Sequence, residues 1–262
     1  MKEQWAWLFE ENQLMLFSFV FLRISGFIFF NPILGRKNIP IVAKGAMIMA
    51  ISIIVYQYSS GTSVTATTNI EYSVLLLREL VIGLAIGFTM ELFSMIFTYA
   101  GGLIDFQMGM SMATIYDAQN GASIPLTGSF YNAFFILTFF AVDGHLMLMK
   151  LLIHSGKLIP FGQFQIPVGL GEAMLEIFGQ CMTLAVKFAF PLLATQFLIE
   201  ISIGILMKMI PQINIFVVNI QIKIVIGLLI LILLFSPMGN YIENTIELML
   251  QTVIDVLKMF AP

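Results

Sequence analysis

Six long apolar runs follow one another along the chain, and most carry one or two charged residues set deep inside them. The first covers residues 14–30, with Arg23 at its middle and Pro32 just past its end. The second, residues 41–58, starts at Pro40, and proline suits a first helical turn because the N–H it lacks is unpaired there anyway. The third, residues 73–100, carries Arg78, Glu79 and Glu91. As straight helix it is about 42 Å long, against a hydrocarbon core of about 30 Å, so it must tilt, kink or leave the bilayer. Gly101 and Gly102 mark its expected end or bend. The fourth run, residues 130–153, contains Asp143 and His145. The fifth, residues 173–209, again exceeds a bilayer and encloses Glu176, Lys187, Glu200 and a kink-forming Pro191. The sixth, residues 215–235, holds Lys223 in its first half.

Two stretches break this pattern. Residues 105–128 hold Phe106, Gln107, Met108, Met110, Met112, Asp117, Asn120, Gly121 and Pro125. They are too polar and too broken for a span, yet too apolar for a solvated loop. Irregular backbone at membrane depth persists only where protein or water surrounds it, which favours a place inside an assembly. Met108, Met110 and Met112 alternate, so in extended backbone they share a side. Methionine fills uneven gaps, and the stretch is open to two readings: ordinary packing in a membrane interior, or a deformable seal. In residues 241–260 the spacing of Ile242, Ile246, Met249, Leu250, Val253, Leu257 and Phe260 is helical, and Glu243, Glu247, Gln251 and Asp255 form a row opposite. That predicts an amphipathic helix for an interface or a partner helix rather than a lipid-surrounded span. Residues 57–69 read as a polar loop and 160–171 as a Pro/Gly loop. The ten-residue alternation of a membrane β-barrel is missing. The fold class is therefore all-α and of integral membrane type: long tilted helical hairpins, about six apolar runs and a C-terminal amphipathic helix, in a single domain over residues 1–262.

Composition sharpens this. Hydrophobic residues make up 59% of the chain and charged ones 10%, whereas soluble domains carry about 25% charged residues. Such a chain cannot cover its surface with polar groups; lipid or other apolar subunits must be its solvent. The net charge of −3, with no basic patch, argues against a nucleic-acid partner. The one cysteine, Cys181, allows no internal disulfide. The acidic Glu10–Glu11 pair and the length of the first run do not suit a cleavable signal peptide.

The nucleotide-phosphate and zinc-protease motifs G-x-x-x-x-G-K-[ST] and H-E-x-x-H are missing, and the two histidines, His145 and His154, have no cysteine company. No enzyme activity, cofactor or metal is expected. Gly83 and Gly87 form a G-x-x-x-G pair suited to close helix approach. The charges Arg23, Arg78, Glu79, Glu91, Lys187, Glu200 and Lys223 carry the stronger signal, because an ionised group in hydrocarbon needs a partner. Arg78 and Glu79 are adjacent and so point in different directions on a helix. Glu91, Lys187, Glu200 and Lys223 are candidates to pair across helices or subunits. The plainer reading is structural, an ion pair that fixes helix register. The sharper one is a proton or ion relay through Glu91, Glu200 and Lys187, as in an ion-coupled transporter.

Four stretches together resemble the FliR family, the flagellar export-gate subunit called SctT in injectisomes. They are LRISGFIFFNPILGRKNIPIVAKGAM with Arg23, Pro32, Pro40 and Lys44, RELVIGLAIGF from Arg78, GGLIDFQMGMSMATIYDAQNG from Gly101, and MIPQINIFVVNIQIKIVIGL from Met209. Two positions depart from the family pattern: Gln221 stands where a proline is expected before Lys223, and Ala118 where one is expected after Asp117. The resemblance implies a gate built with several copies of FliP- and FliQ-like subunits, next to FlhB- and FlhA-like proteins, in the bacterial inner membrane at the flagellar basal body. Its helical hairpins spiral around a pore for unfolded flagellar subunits, and the buried charges then face neighbouring subunits. It also implies that the stretch around Phe106, Gln107, Met108, Met110, Met112, Asp117, Asn120 and Gly121 is a plug that closes the resting pore.

Overall fold

The computed structural model describes residues 11–36, 38–59, 68–110, 114–117, 122–162, 167, 169–209 and 215–261. Among the described residues, eight helices and one short hairpin follow in order: α1 (Glu11–Phe30), α2 (Ile41–Tyr58), α3 (Asn69–Met108), β1 (Thr114–Asp117), β2 (Ala122–Pro125), α4 (Leu126–Ala141), α5 (Gly144–Leu158), α6 (Leu170–Met209), α7 (Ile215–Leu233) and α8 (Phe235–Met259). The fold is all-α apart from that antiparallel pair, whose register sets Thr114 opposite Pro125 and Asp117 opposite Ala122. Four helices are long and apolar enough to cross a membrane, or up to six elements if each bent pair counts as one span. The protein is thus a helical membrane protein.

The first two apolar runs coincide with α1 and α2. Asn31 ends α1 as its side-chain oxygen accepts the Ile33 and Leu34 N–H groups at 2.9 Å. The third run is longer than its composition suggests. The helix α3 does not stop or bend at Gly101–Gly102 but continues to Met108, about 60 Å in all at 1.5 Å per residue. The stop is Gly109, in the left-handed region at φ 76°. There the Met110 N–H reaches Asp105 O at 2.8 Å and the Gly109 N–H reaches Phe106 O at 3.1 Å, a Schellman closure. Gly101 serves a different purpose: a Cβ there would run into the backbone of Gly128. The fourth run is not continuous either. It breaks between α4 and α5 at Asp143, the one described non-glycine residue at positive φ, 57°. Among non-glycine residues, aspartate and asparagine enter that region most readily. The fifth run is a single helix, α6, with Pro191 inside it. The amphipathic tail is longer than its pattern shows, since α8 starts at Phe235, where a break at Leu234 bends it 62° from α7.

Packing divides the chain into two compact units. The first comprises residues 1–92, 143–176 and 247–262, the second 93–142 and 177–246. The chain passes from one to the other inside α3, α6 and α8 and at the break between α4 and α5, so both are assembled from separated pieces of sequence. In the first unit α1 lies hard against α3. A Cβ on Gly26 would sit 2.5 Å from Leu80 O, and one on Gly83 would strike the Arg23 carbonyl. This close approach is the use found for the G-x-x-x-G pair. Phe17 meets Tyr56 of α2 edge-on at 5.8 Å, and Phe19 meets Tyr72 of α3 at 5.6 Å. The second unit is built around rings. Phe97 stacks on Phe135 at 5.1 Å and meets Phe188 edge-on at 5.4 Å. Tyr131 meets the same Phe188 edge-on at 4.8 Å. Such offset and T-shaped pairs place the positive ring edge on a negative ring face.

Candidate functional site

Among the described residues, the largest fully buried side chain is charged: Arg23, at the middle of α1. Its Nε donates to Glu79 Oε2 of α3 at 2.7 Å, and the two side chains are 1% and 0% exposed. The remaining guanidinium nitrogens reach Ser155 Oγ at 3.3 Å and the Ile159 carbonyl at 3.2 and 3.3 Å. The guanidinium lies 4.1 Å from the centre of the Phe161 ring. Glu79 uses its other oxygen to accept the Gly162 N–H at 2.9 Å. The group is closed: one cation and one anion, both desolvated, with their other donors and acceptors spent on Ser155 of α5 and on the turn that follows α5. Arginine's planar fork suits this, because it holds several fixed donors at once. The pair joins α1, α3 and residues 159–162 at one point and fixes their register.

Three charges sit differently. Glu91 is half-buried, and the charge of Arg36 acts on it. Arg78 is half-buried. Lys187 is exposed on α6, although the apolar pattern sets it deep. A helix immersed in one long apolar run has an outer face as well as an inner one, and Lys187 lies on the outer face. Glu200 and Lys223 do meet, across α6 and α7, at 3.1 Å, but with Lys223 11% and Glu200 51% exposed. Gln107 of α3 joins them, its Nε2 donating to Glu200 Oε2 at 3.3 Å. Next to them Gln196, fully buried, donates to the Lys223 carbonyl at 3.0 Å.

Part of the stretch expected to be irregular is helix and hairpin. Phe106, Gln107 and Met108 are the last turn of α3 and not extended chain, so Met108 and Met110 do not alternate along a strand. Met108 is fully buried, while Phe106, two residues away, is 73% exposed. Met110 follows the helix stop, and Asp117 ends β1. Met112, Asn120 and Gly121 lie outside the described residues. One residue here was not singled out from sequence: Asp105, which is 2% exposed. Its carboxylate accepts the Thr127 N–H at 3.1 Å and the Thr127 hydroxyl. Helix α4 has no cap of its own, since Pro125 stands at that position. An acceptor carrying negative charge, brought from another helix, answers both the free N–H groups and the positive helix end. Capping signals are sought within four residues, so a cap supplied from 22 residues upstream escapes them. Among the described residues no three His, Cys, Asp or Glu side chains stand close enough together to hold a metal ion.

The comparison with known families decides what this arrangement belongs to. A sequence model of the bacterial export proteins, family 1, matches residues 14–249. The chain is a member of that family. Family 1 export proteins similar to it include the flagellar biosynthetic protein FliR of Bacillus subtilis, 28% identical over 246 residues, covering 93% of this chain and 95% of the relative. The FliR of Aquifex aeolicus is 28% identical over 238 residues, 89% and 92% of the two chains. That of Escherichia coli is 24% identical over 259 residues, 97% and 95%. As a family 1 export protein with membrane-length helices, the chain is a membrane component of a bacterial export process.

Proposed function

We propose that this chain is a non-enzymatic subunit of the flagellar type III protein export gate. It forms part of the pore with FliP- and FliQ-like subunits, beside FlhB- and FlhA-like proteins, in the inner membrane at the basal body. Unfolded flagellar subunits are the cargo. The observation that carries this reading is the end-to-end similarity to relatives named flagellar biosynthetic protein FliR. The exposed surface supports it. Ile41, Val42, Leu198, Ile201, Ile205, Val225, Ile232 and Leu233 all face outward. Apolar area costs roughly 25 cal/mol per Å² in water, so lipid and neighbouring subunits must cover these faces. In this reading the stretch from Phe106 to Gly121 is the plug of the resting pore.

The transporter reading loses support at the residues meant to carry it. Of Glu91, Glu200 and Lys187, Lys187 faces outward rather than into a buried path, and Glu200 is half-exposed and bound by Lys223 and Gln107. Co-expression with FliP- and FliQ-like subunits of the same bacterium tests the proposal. The chain is expected to co-purify with them in detergent, and to restore swimming to a mutant lacking its own homologue. A chain that folds stably alone, ignores those partners and moves a small ion in liposomes would overturn it.

A further inference from the structure

The last turn of α3 is held at its two sides by contacts of unlike chemistry. On one side the buried Asp105 carboxylate binds the first turn of α4 through Thr127. On the other side Met108 fills the notch left by Gly227 on α7, where a Cβ would come within 2.5 Å of Met108 Cε. Beside it, Gln107 donates to Glu200, and Glu200 holds Lys223. The two attachments differ in accessibility. Asp105 is closed off, and breaking its bonds would strand a buried carboxylate. Glu200 is half open, and a half-exposed bridge contributes little net, because water and salt compete for both partners.

A second observation points the same way. Gln196 Oε1 and Asn219 Oδ1 are buried acceptors with no donor among the described residues. Gln196 precedes Glu200 by one turn of α6, and Asn219 precedes Lys223 by one turn of α7, so each shares a face with its charged neighbour. Spare oxygens on both faces offer the Lys223 ammonium, with three donors, somewhere to turn when Glu200 lets go.

We propose that Gln107, Glu200 and Lys223 are positioning residues: together they form a releasable latch that seats the end of α3 on the α6–α7 pair. Asp105 and Thr127 stay fixed as the anchor. When the latch opens, the end of α3, from Phe106 to Met110, comes away from the α6–α7 pair while Asp105 holds. The proposal rests on the reading of this stretch as the plug.

The test is ion leakage across the membrane of cells carrying the assembled complex, with complex yield measured alongside. Glu200→Gln and Lys223→Met are expected to raise leakage several-fold at unchanged yield. The exchange Glu200→Lys with Lys223→Glu is expected to reseal the membrane, since Gln107 can turn its amide to offer oxygen to the lysine. A deletion of residues 111–121 is measured in parallel and is expected to leak. If the deletion leaks while the latch variants stay tight, or only lose yield, the latch is wrong and the plug stands. If the deletion itself does not leak, the plug reading fails and the latch with it.

Discussion

Removing the Glu79 carboxylate would leave a guanidinium without counter-charge where water does not reach, and removing Arg23 would do the converse. Breaking one half of such a pair costs about 3–5 kcal/mol, far more than the pair is worth against an apolar replacement. Arg23→Ala and Glu79→Ala are each expected to lower the midpoint of urea denaturation of the detergent-solubilised complex sharply. Arg23→Met combined with Glu79→Leu should lose much less than the two single changes summed. Asp105→Ala should cost about 1–3 kcal/mol by stranding the Thr127 donors, detectable in the same titration. From sequence, the presence of these groups was legible but their pairing was not. Glu79 has Arg78 as its neighbour in the chain, yet that side chain points elsewhere, and the true partner lies on α1. Burial was legible only as far as an apolar run implies it, which is why Lys187 and Glu200 come out more open than their surroundings suggest.

The helices as elements were easier to read than their ends. The apolar pattern located α1 and α2, together with the bodies of α3 and α6, because periodicity and length survive any tertiary context. It misplaced the stop of α3, because a Gly–Gly pair carries the same local signal whether it ends a helix or lets a second backbone approach. Only Gly128, far along the chain, decides between the two. Gly101→Val and Gly83→Val are therefore expected to push helices apart and to abolish recovery of intact complex on gel filtration, although valine is acceptable in a membrane helix. The break between α4 and α5 was hidden because Asp143 looks like one more charge in an apolar run. Asp143→Gly should be tolerated, whereas Asp143→Val should cost about 1–3 kcal/mol of backbone strain, read as a lower melting temperature.

On the scale of the molecule, composition settled that the chain lives in an apolar environment, and the outward-facing leucines and isoleucines of α2, α6 and α7 show which faces meet it. The division into two units left little trace in the pattern, since three of its four crossings fall inside an unbroken helix and the fourth lies between α4 and α5. Residues 247–262 belong with residues 1–92. Met249, Val253, Leu257 and Phe260 are buried there, so a stop after Ile246 should make residues 143–176 sensitive to protease while the second unit resists longer.

The same interleaving fixes an order of events during synthesis. Domains commonly fold as they emerge from the ribosome, the N-terminal one first. Here the first stretch to be translated must wait for the second half of α8, from Glu247 on, which appears only after every piece of the other unit has been made. Until then the helices carrying Arg23 and Glu79 have an unfinished hydrophobic seat. They need something else to shield them in the meantime, such as the insertion machinery, a chaperone or a neighbouring nascent chain.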